Sequence, residues 1–206
     1  MNNKPACPPE AAPEQAWKEI DVAGANAAAL EEIPPPILAK FKEVKLFLCD
    51  VDGVLTDGGI YMGEGRELKR FHVRDGLGLR LLQRQGIPVG WISHRPSEAT
   101  AERARDLGVD FLIQKPERKR DAVEEILRRT ELQWRDLCYM GDDVVDLGVL
   151  RRAGLAVTAP DGLAEAKQLA DYVTRAPAGS GAVREAAELI LRAQGKWASV
   201  IREYAD

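Results

Sequence analysis

The sequence predicts a three-layer, Rossmann-like α/β domain with a mainly parallel sheet, a protruding β-hairpin and no inserted cap domain. Three observations predict it. Short, nearly continuous apolar runs at 44–49, 88–93 and 137–140 fit strands buried on both faces. They alternate with helical patterns such as 117–130, where Ala122, Val123, Ile126 and Leu127 share one face. The chain has 206 residues, 45% hydrophobic and 30% charged, which suffices for one domain with a full core.

The elements follow in order. Seven of the 12 prolines lie before residue 41, four of them at positions 5, 8, 9 and 13. Residues 1–42 therefore form a Pro/Ala-rich extension, partly disordered over the first dozen residues. A helix is possible over 14–31, weakened by Gly24, before the triplet Pro34-Pro35-Pro36 enforces an extended link. The arm is either a dispensable extension or docks on a neighbouring subunit through Trp17. The domain proper spans 43–206 with a C-terminal tail. It opens with the strand ending at Cys49. Segments 59–62 and 68–73 flank the turn GEGRE as a hairpin. Leu77, Leu79, Leu81 and Leu82 suggest a helix ending at Gly86. After the strand at 88–93 come a helix at 97–107 stopped by Gly108, a strand at 109–113 and the helix at 117–130. The strand at 137–140 leads into a helix through Arg152. Strands at 155–157 and 172–174 and helices near 162–169 and 181–193 complete the chain.

Composition excludes several classes. The net charge of −4 argues against a nucleic-acid partner. No run approaches the ~18 apolar residues of a membrane span. Cys7, Cys49 and Cys138 are an odd, sparse set that predicts a reducing cytoplasm over a disulfide framework. The start lacks an apolar signal-peptide core. Cys49 and Cys138 read as small buried hydrophobes.

In parallel sheets ligands bind beyond the carboxyl ends of the strands. There the sequence places Asp50-Val51-Asp52-Gly53, then Ser93-His94-Arg95, then Lys119, then Gly141-Asp142-Asp143 with Asp146 one turn on. Taken singly these acids read as loop and cap residues. Taken together, Asp50, Asp52, Asp142 and Asp143 stay ionised only if a cation neutralises them, and a small set of hard oxygen ligands suits Mg²⁺.

The segment DVDGVLTDG at 50–58 resembles the first signature of the haloacid-dehalogenase-like phosphohydrolases. Ser93, Lys119 and GDDVVD at 141–146 resemble the second, third and fourth, in the family's order. Further, IYMGEGRELKRFHVRDGLGLRLL, GVDFLIQKPERK, ADYVTR and GSGAVREAAELILRAQGK resemble the 3-deoxy-D-manno-octulosonate 8-phosphate (KDO 8-phosphate) phosphatases, from about residue 43 to 197. The resemblance implies a phosphoric monoester hydrolase of lipopolysaccharide biosynthesis acting on a sugar-acid phosphate. It implies that Asp50 is the nucleophile that forms an aspartyl-phosphate. Asp52 is then the acid and base, with its backbone carbonyl on the metal. Ser93 bonds the phosphoryl group and Lys119 neutralises its charge. Asp50, Asp52 and Asp142 hold Mg²⁺. Asp143 and Asp146 hold metal-bound water or orient ligands, unless Asp146 holds Lys119. Thr56, Arg74, Asp75, His94, Arg95 and Arg184 are candidate substrate contacts. Surface pairing is the alternative for Arg74, Asp75 and Arg95, a structural role for His72, and a helical pair with Glu188 for Arg184.

The gaps between Asp52 and Ser93, and between Ser93 and Lys119, have no room for a cap. Another subunit must then cover the site. The resembling family is tetrameric, with hairpins meeting at the centre and a neighbour's C-terminal segment reaching the site, so a homotetramer is expected. The chain has Ser93-His94-Arg95-Pro96 where that family usually shows Thr-Gly-Arg-Lys, and Ala178-Gly179-Ser180-Gly181 where it shows Gly-Gly-Arg-Gly. A nine-carbon 2-keto-3-deoxy sugar acid phosphate is therefore the alternative substrate. A catalytically silent assembly module and a phosphoacceptor signalling domain are the alternatives to an enzyme.

Overall fold

The computed structural model describes residues 20–63 and 65–205. The expectations for the first dozen residues, Cys7 and Trp17 lie outside these residues. Six strands form one sheet in the order β5-β4-β1-β6-β7-β8: β1 (Leu46–Cys49), β4 (Val89–Ser93), β5 (Phe111–Gln114), β6 (Leu137–Met140), β7 (Leu155–Thr158) and β8 (Tyr172–Val173). Every neighbouring pair is parallel. All four residues of β1 are buried, as its unbroken apolar run requires.

Alternate residues of the strands feed two cores. Phe47, Cys49, Trp91, Met140 and Val157 face one side. They pack there with α2 (Pro35–Glu43), α3 (Val73–Arg84), α4 (Glu98–Leu107), α8 (Ala182–Ala193) and α9 (Trp197–Ala205). Leu46, Leu48, Ile92 and Tyr139 face the other, against α5 (Lys119–Thr130), α6 (Leu147–Leu150) and α7 (Ala164–Leu169). These are the three layers the alternation predicts. Cys49 and Cys138 are buried free thiols, and burial pushes both thiols well up from their ordinary pKa.

Local chemistry sets the boundaries. Ser97 caps α4 by accepting from Thr100 N at 3.2 Å, and Gly108 closes it with φ 65°. The proline triplet does not make an extended link. Pro34 precedes α2 and the other two prolines occupy its first turn, where a missing N–H costs nothing. Helix α1 (Val22–Glu31) and α2 both pack against α8, and Phe41 is fully buried in the core, although the sequence draws the domain boundary after residue 42. The hairpin is shorter than its pattern. Strand β2 (Tyr61–Gly63) pairs with β3 (Arg66–Leu68), and Val73 already begins α3. Between β1 and β4 the described residues hold only this hairpin and α3. In the tail, Trp197 and Val200 of α9 are buried in the chain's own core, with Arg192 over the Trp197 ring at 4.6 Å.

Candidate active site

The sheet reverses direction of growth at β1, which has β4 on one side and β6 on the other. Loops leaving such a strand diverge and open a crevice at its carboxyl end. The loops after β1, β4 and β6 and the start of α5 meet there.

Lys119, in the first turn of α5, is 1% exposed. Its Nζ lies 2.7 Å from Asp50 Oδ2 and 2.9 Å from Asp146 Oδ1. Burial disfavours its charge, but Asp146 and Asp50 outweigh that and raise its pKa. Asp50 follows β1 directly, and its other oxygen accepts from Val51 N at 2.7 Å. Asp146 is fully buried and has no spare oxygen. Besides Lys119 it accepts from Tyr139 Oη at 2.6 Å and from the backbone N–H of Asp142 and Asp143 at 3.1 and 3.3 Å. Of the two roles the sequence leaves open for Asp146, this geometry is that of holding Lys119.

Asp142 approaches the first loop because Gly53 has no side chain. With φ +86°, a Cβ there would stand 2.1 Å from Asp142 Oδ2. One ligand oxygen each from Asp50, Asp142 and Asp146 lies within 4.8 Å of the others. Burial, then Asp146, raises the pKa of Asp50 to about 6. Burial, then Asp146 and Asp50, raises that of Asp142 to about 7. Oδ1 of Asp142 is buried without a hydrogen-bond partner. These are carboxylates crowded together as for a cation, and a buried oxygen without a hydrogen-bond partner fits one. Since Asp146 is saturated, Asp50 and Asp142 are the side chains left to bind it. The charge agrees. Asp50 and Asp146 pair with Lys119 and Asp52 with Lys69, which leaves Asp142, with Asp143 beside it, without an ion-pair partner among the described residues. The all-oxygen donor set suits Mg²⁺.

The remaining expected residues separate. Ser93 is buried after β4, its hydroxyl donating to Arg95 O at 3.0 Å and accepting from Arg95 N at 3.1 Å. His94 is exposed and lines a cavity of about 290 Å³ with Arg118, Lys119 and Arg152. Arg95 pairs with Glu67 of β3. Asp143 is exposed and accepts from Val144 N at 2.7 Å. Arg74 is exposed and has no polar partner among the described residues.

Three of the candidate contacts have partners within the chain. Thr56 is fully buried, and its hydroxyl accepts from Gly58 N at 3.2 Å, which shapes the first loop. Asp75 is 1% exposed and caps α8 from a neighbouring helix, accepting from Gly181 N at 3.2 Å and Arg184 N at 2.7 Å. Arg184 spends its guanidinium on Glu188 at 2.5 Å and on the Trp197 ring at 5.6 Å. The stretch 177–181 belongs to the same chain's first loop: Gly179, φ +58°, donates to Val54 O at 3.0 Å and would clash with Thr56 and Asp57 if it bore a Cβ.

Sequence reading missed Lys69. Its ammonium, the side chain fully buried, reaches Asp52 at 2.7–2.8 Å. The only available signal was a cation just after the hairpin, which resembles a surface charge.

Comparison with known proteins agrees with this geometry. The model of the haloacid dehalogenase-like hydrolases matches residues 92–185. The 3-deoxy-D-manno-octulosonate 8-phosphate phosphatase KdsC of Escherichia coli is 40% identical over 176 residues, covering 84% of this chain and 94% of that one. The crystal structure of the Moraxella catarrhalis phosphatase of that name, in complex with magnesium, phosphate and KDO, superposes with TM-score 0.79 at 40% identity. It covers 82% of this chain and 97% of that one. The cobalt-bound phosphatase of Haemophilus influenzae gives TM-score 0.74 at 35% identity, covering 76% and 92%.

Proposed function

The chain belongs to the haloacid dehalogenase-like hydrolases, in the family of the KDO 8-phosphate phosphatases, and we propose that it hydrolyses KDO 8-phosphate to KDO and phosphate. It is a phosphoric monoester hydrolase that uses Mg²⁺. The observation that carries the reading is the buried Asp50–Lys119–Asp146 chain beside the orphaned oxygen of Asp142. A silent assembly module has no use for buried charges so arranged.

Asp50, Asp142 and the Asp52 carbonyl would hold the Mg²⁺, which when bound offsets phosphate charge. Asp50 attacks phosphorus as the bond to the sugar oxygen breaks, and an aspartyl-phosphate forms. Asp52 gives its proton to the departing alkoxide. It then takes one from the water that attacks phosphorus and releases Asp50. Lys119, held by Asp146, stays beside the nucleophile and balances charge on the transferring group. Ser93 serves that group once its hydroxyl turns from Arg95. Arg95 and His94 stand at the rim, where the chain's departures from the family pattern lie.

An uncapped site needs cover, and the hairpin carries exposed apolar residues on both sides, the cross-strand pair Tyr61 and Leu68 on one face and Met62 on the other, with Ile60 just before β2. A homotetramer built on the hairpin is part of the proposal. No described helix is long and apolar enough to cross a membrane. The two buried free thiols support a cytoplasmic enzyme.

The test is phosphate release from KDO 8-phosphate, a nine-carbon 2-keto-3-deoxy sugar acid phosphate and p-nitrophenyl phosphate. The reading expects the highest kcat/KM for the eight-carbon acid. A preference for the nine-carbon acid reassigns the substrate, and no turnover of any ester refutes the enzyme.

A further inference from the structure

Asp52 is held by a residue from outside its own loop. Lys69, directly after β3, is an ammonium whose side chain is fully buried. Burying such a group is costly unless it is paired. Its Nζ lies 2.7 Å from Asp52 Oδ1 and donates to Oδ2 at 2.8 Å, so it faces both carboxylate oxygens. Thr100 Oγ1 of α4 completes its shell at 3.2 Å, with Glu67 Oε1 at 3.6 Å. Glu67 in turn accepts from Ser97 Oγ at 2.7 Å and pairs with Arg95. The base of the hairpin therefore ties the loop after β1 to the loop after β4.

We propose that Lys69 is a positioning residue of the reaction: it fixes the Asp52 carboxyl group for proton exchange with the leaving oxygen and the attacking water. The inference rests on the phosphatase reading above. A carboxylate on a freely rotating side chain reaches the leaving oxygen in only some rotamers, and misplacement by 1 Å can cost ~10²-fold in rate. The two-oxygen contact fixes the group without blocking it. Oδ2 accepts from Lys69, while Oδ1, buried without a hydrogen-bond partner, is the oxygen left to carry the proton destined for the alkoxide. When the water's proton returns to Asp52, the same arrangement is restored. The ammonium keeps its three protons throughout.

The experiment compares kcat/KM for KDO 8-phosphate and p-nitrophenyl phosphate in wild type, Lys69→Met and Lys69→Gln. A sugar alkoxide needs a proton to leave and a nitrophenolate does not. Lys69→Met should lower kcat/KM at least about tenfold for the sugar ester and by less than about threefold for the aryl ester. Lys69→Gln, which keeps a donor, should recover part of the loss. On an Asp52→Asn background, Lys69→Met should add less than about twofold, since its effect passes through Asp52. Equal losses on both esters, or an undiminished effect on the Asp52→Asn background, would overturn the inference and leave the phosphatase reading intact. If Lys69→Met melts at assay temperature, the Lys69→Gln ratio of the two esters decides. A wild-type protein inactive on both esters overturns both readings.

Discussion

Replacing Asp146 by asparagine tests the claim that this residue holds Lys119 and does not bind the metal. The carboxylate accepts four donors: Lys119 and Tyr139 on one oxygen, and two backbone N–H groups on the other. Asparagine has one oxygen and one NH₂. If its oxygen faces Lys119 and Tyr139, the NH₂ meets the N–H groups of Asp142 and Asp143. If it turns over, the NH₂ meets the ammonium. Either way two donors lose their acceptor, a loss of ~1–3 kcal/mol each when buried and less for the part-buried N–H groups. Lys119 keeps Asp50 at 2.7 Å, so the full ~3–5 kcal/mol of a broken buried pair is not incurred. The expected loss is about 3 kcal/mol, or ~6–12 °C in Tm for a chain of this size.

The catalytic effect is separable. A Lys119 free to move from the phosphoryl position should lower kcat ~10²-fold. Thermal melts in Mg²⁺ and initial rates give both quantities. Asp143→Asn is the control: Asp143 is exposed, so its stability should stay within ~0.5 kcal/mol of wild type. An Asp146→Asn protein as stable as that control, with unchanged kcat, would refute the four-donor account.

Chelation should abolish turnover and added Mg²⁺ should restore it; full activity in excess chelator sinks the mechanism. Asp50→Asn should leave no more than a few per cent of the wild-type rate, since an amide is a poor nucleophile, and a faster variant removes Asp50 from that role. Without metal, the pKa of Asp142 stands raised to about 7 by burial, so its ionised form burdens the fold at pH 8 and its protonated form does not at pH 5. In chelator, Asp142→Asn should therefore raise Tm at pH 8 and leave it nearly unchanged at pH 5, while in Mg²⁺ it should lower Tm; no difference between the two pH values contradicts the crowding account. Asp75→Ala should cost ~1–3 kcal/mol in urea unfolding because two N–H groups of α8 lose their acceptor, and a neutral result returns Asp75 to the list of substrate contacts.

What sequence pattern made legible was whatever repeats along one strand or helix. The apolar run ending at Cys49 gives a buried strand to within two residues, and Ser97 and Gly108 bracket α4 because capping is a local property. Errors arose where one local rule met another. Proline reads as a breaker, yet Pro35 and Pro36 start α2, because a helix needs no N–H in its first turn. Val73 looks like the end of a hairpin strand. It begins α3 instead, because Leu79 and Leu82 draw the segment onto the core.

The site divides along the same line. Asp50, Lys119 and Asp142 are legible because each ends an apolar run or opens a helix, and the sheet delivers such positions to one edge. What Asp75 and Lys69 do depends on partners 109 and 17 residues away, and no periodicity encodes such a distance. An acid in a first helical turn looks free for substrate until α8 arrives to be capped by it. A lysine beside a hairpin looks solvated until the loop after β1 folds over it. Charge count was the one signal that crossed those distances. Asp50, Asp52, Asp142 and Asp143 crowded at one strand edge demanded a cation, and they still do after Lys69 is added, since Asp142 has no ion-pair partner among the described residues. The metal inference thus survives the missed residue, and what Lys69 adds is a partner that holds the Asp52 carboxylate. That partner follows the hairpin directly, the same element whose exposed apolar residues are proposed to join the subunits.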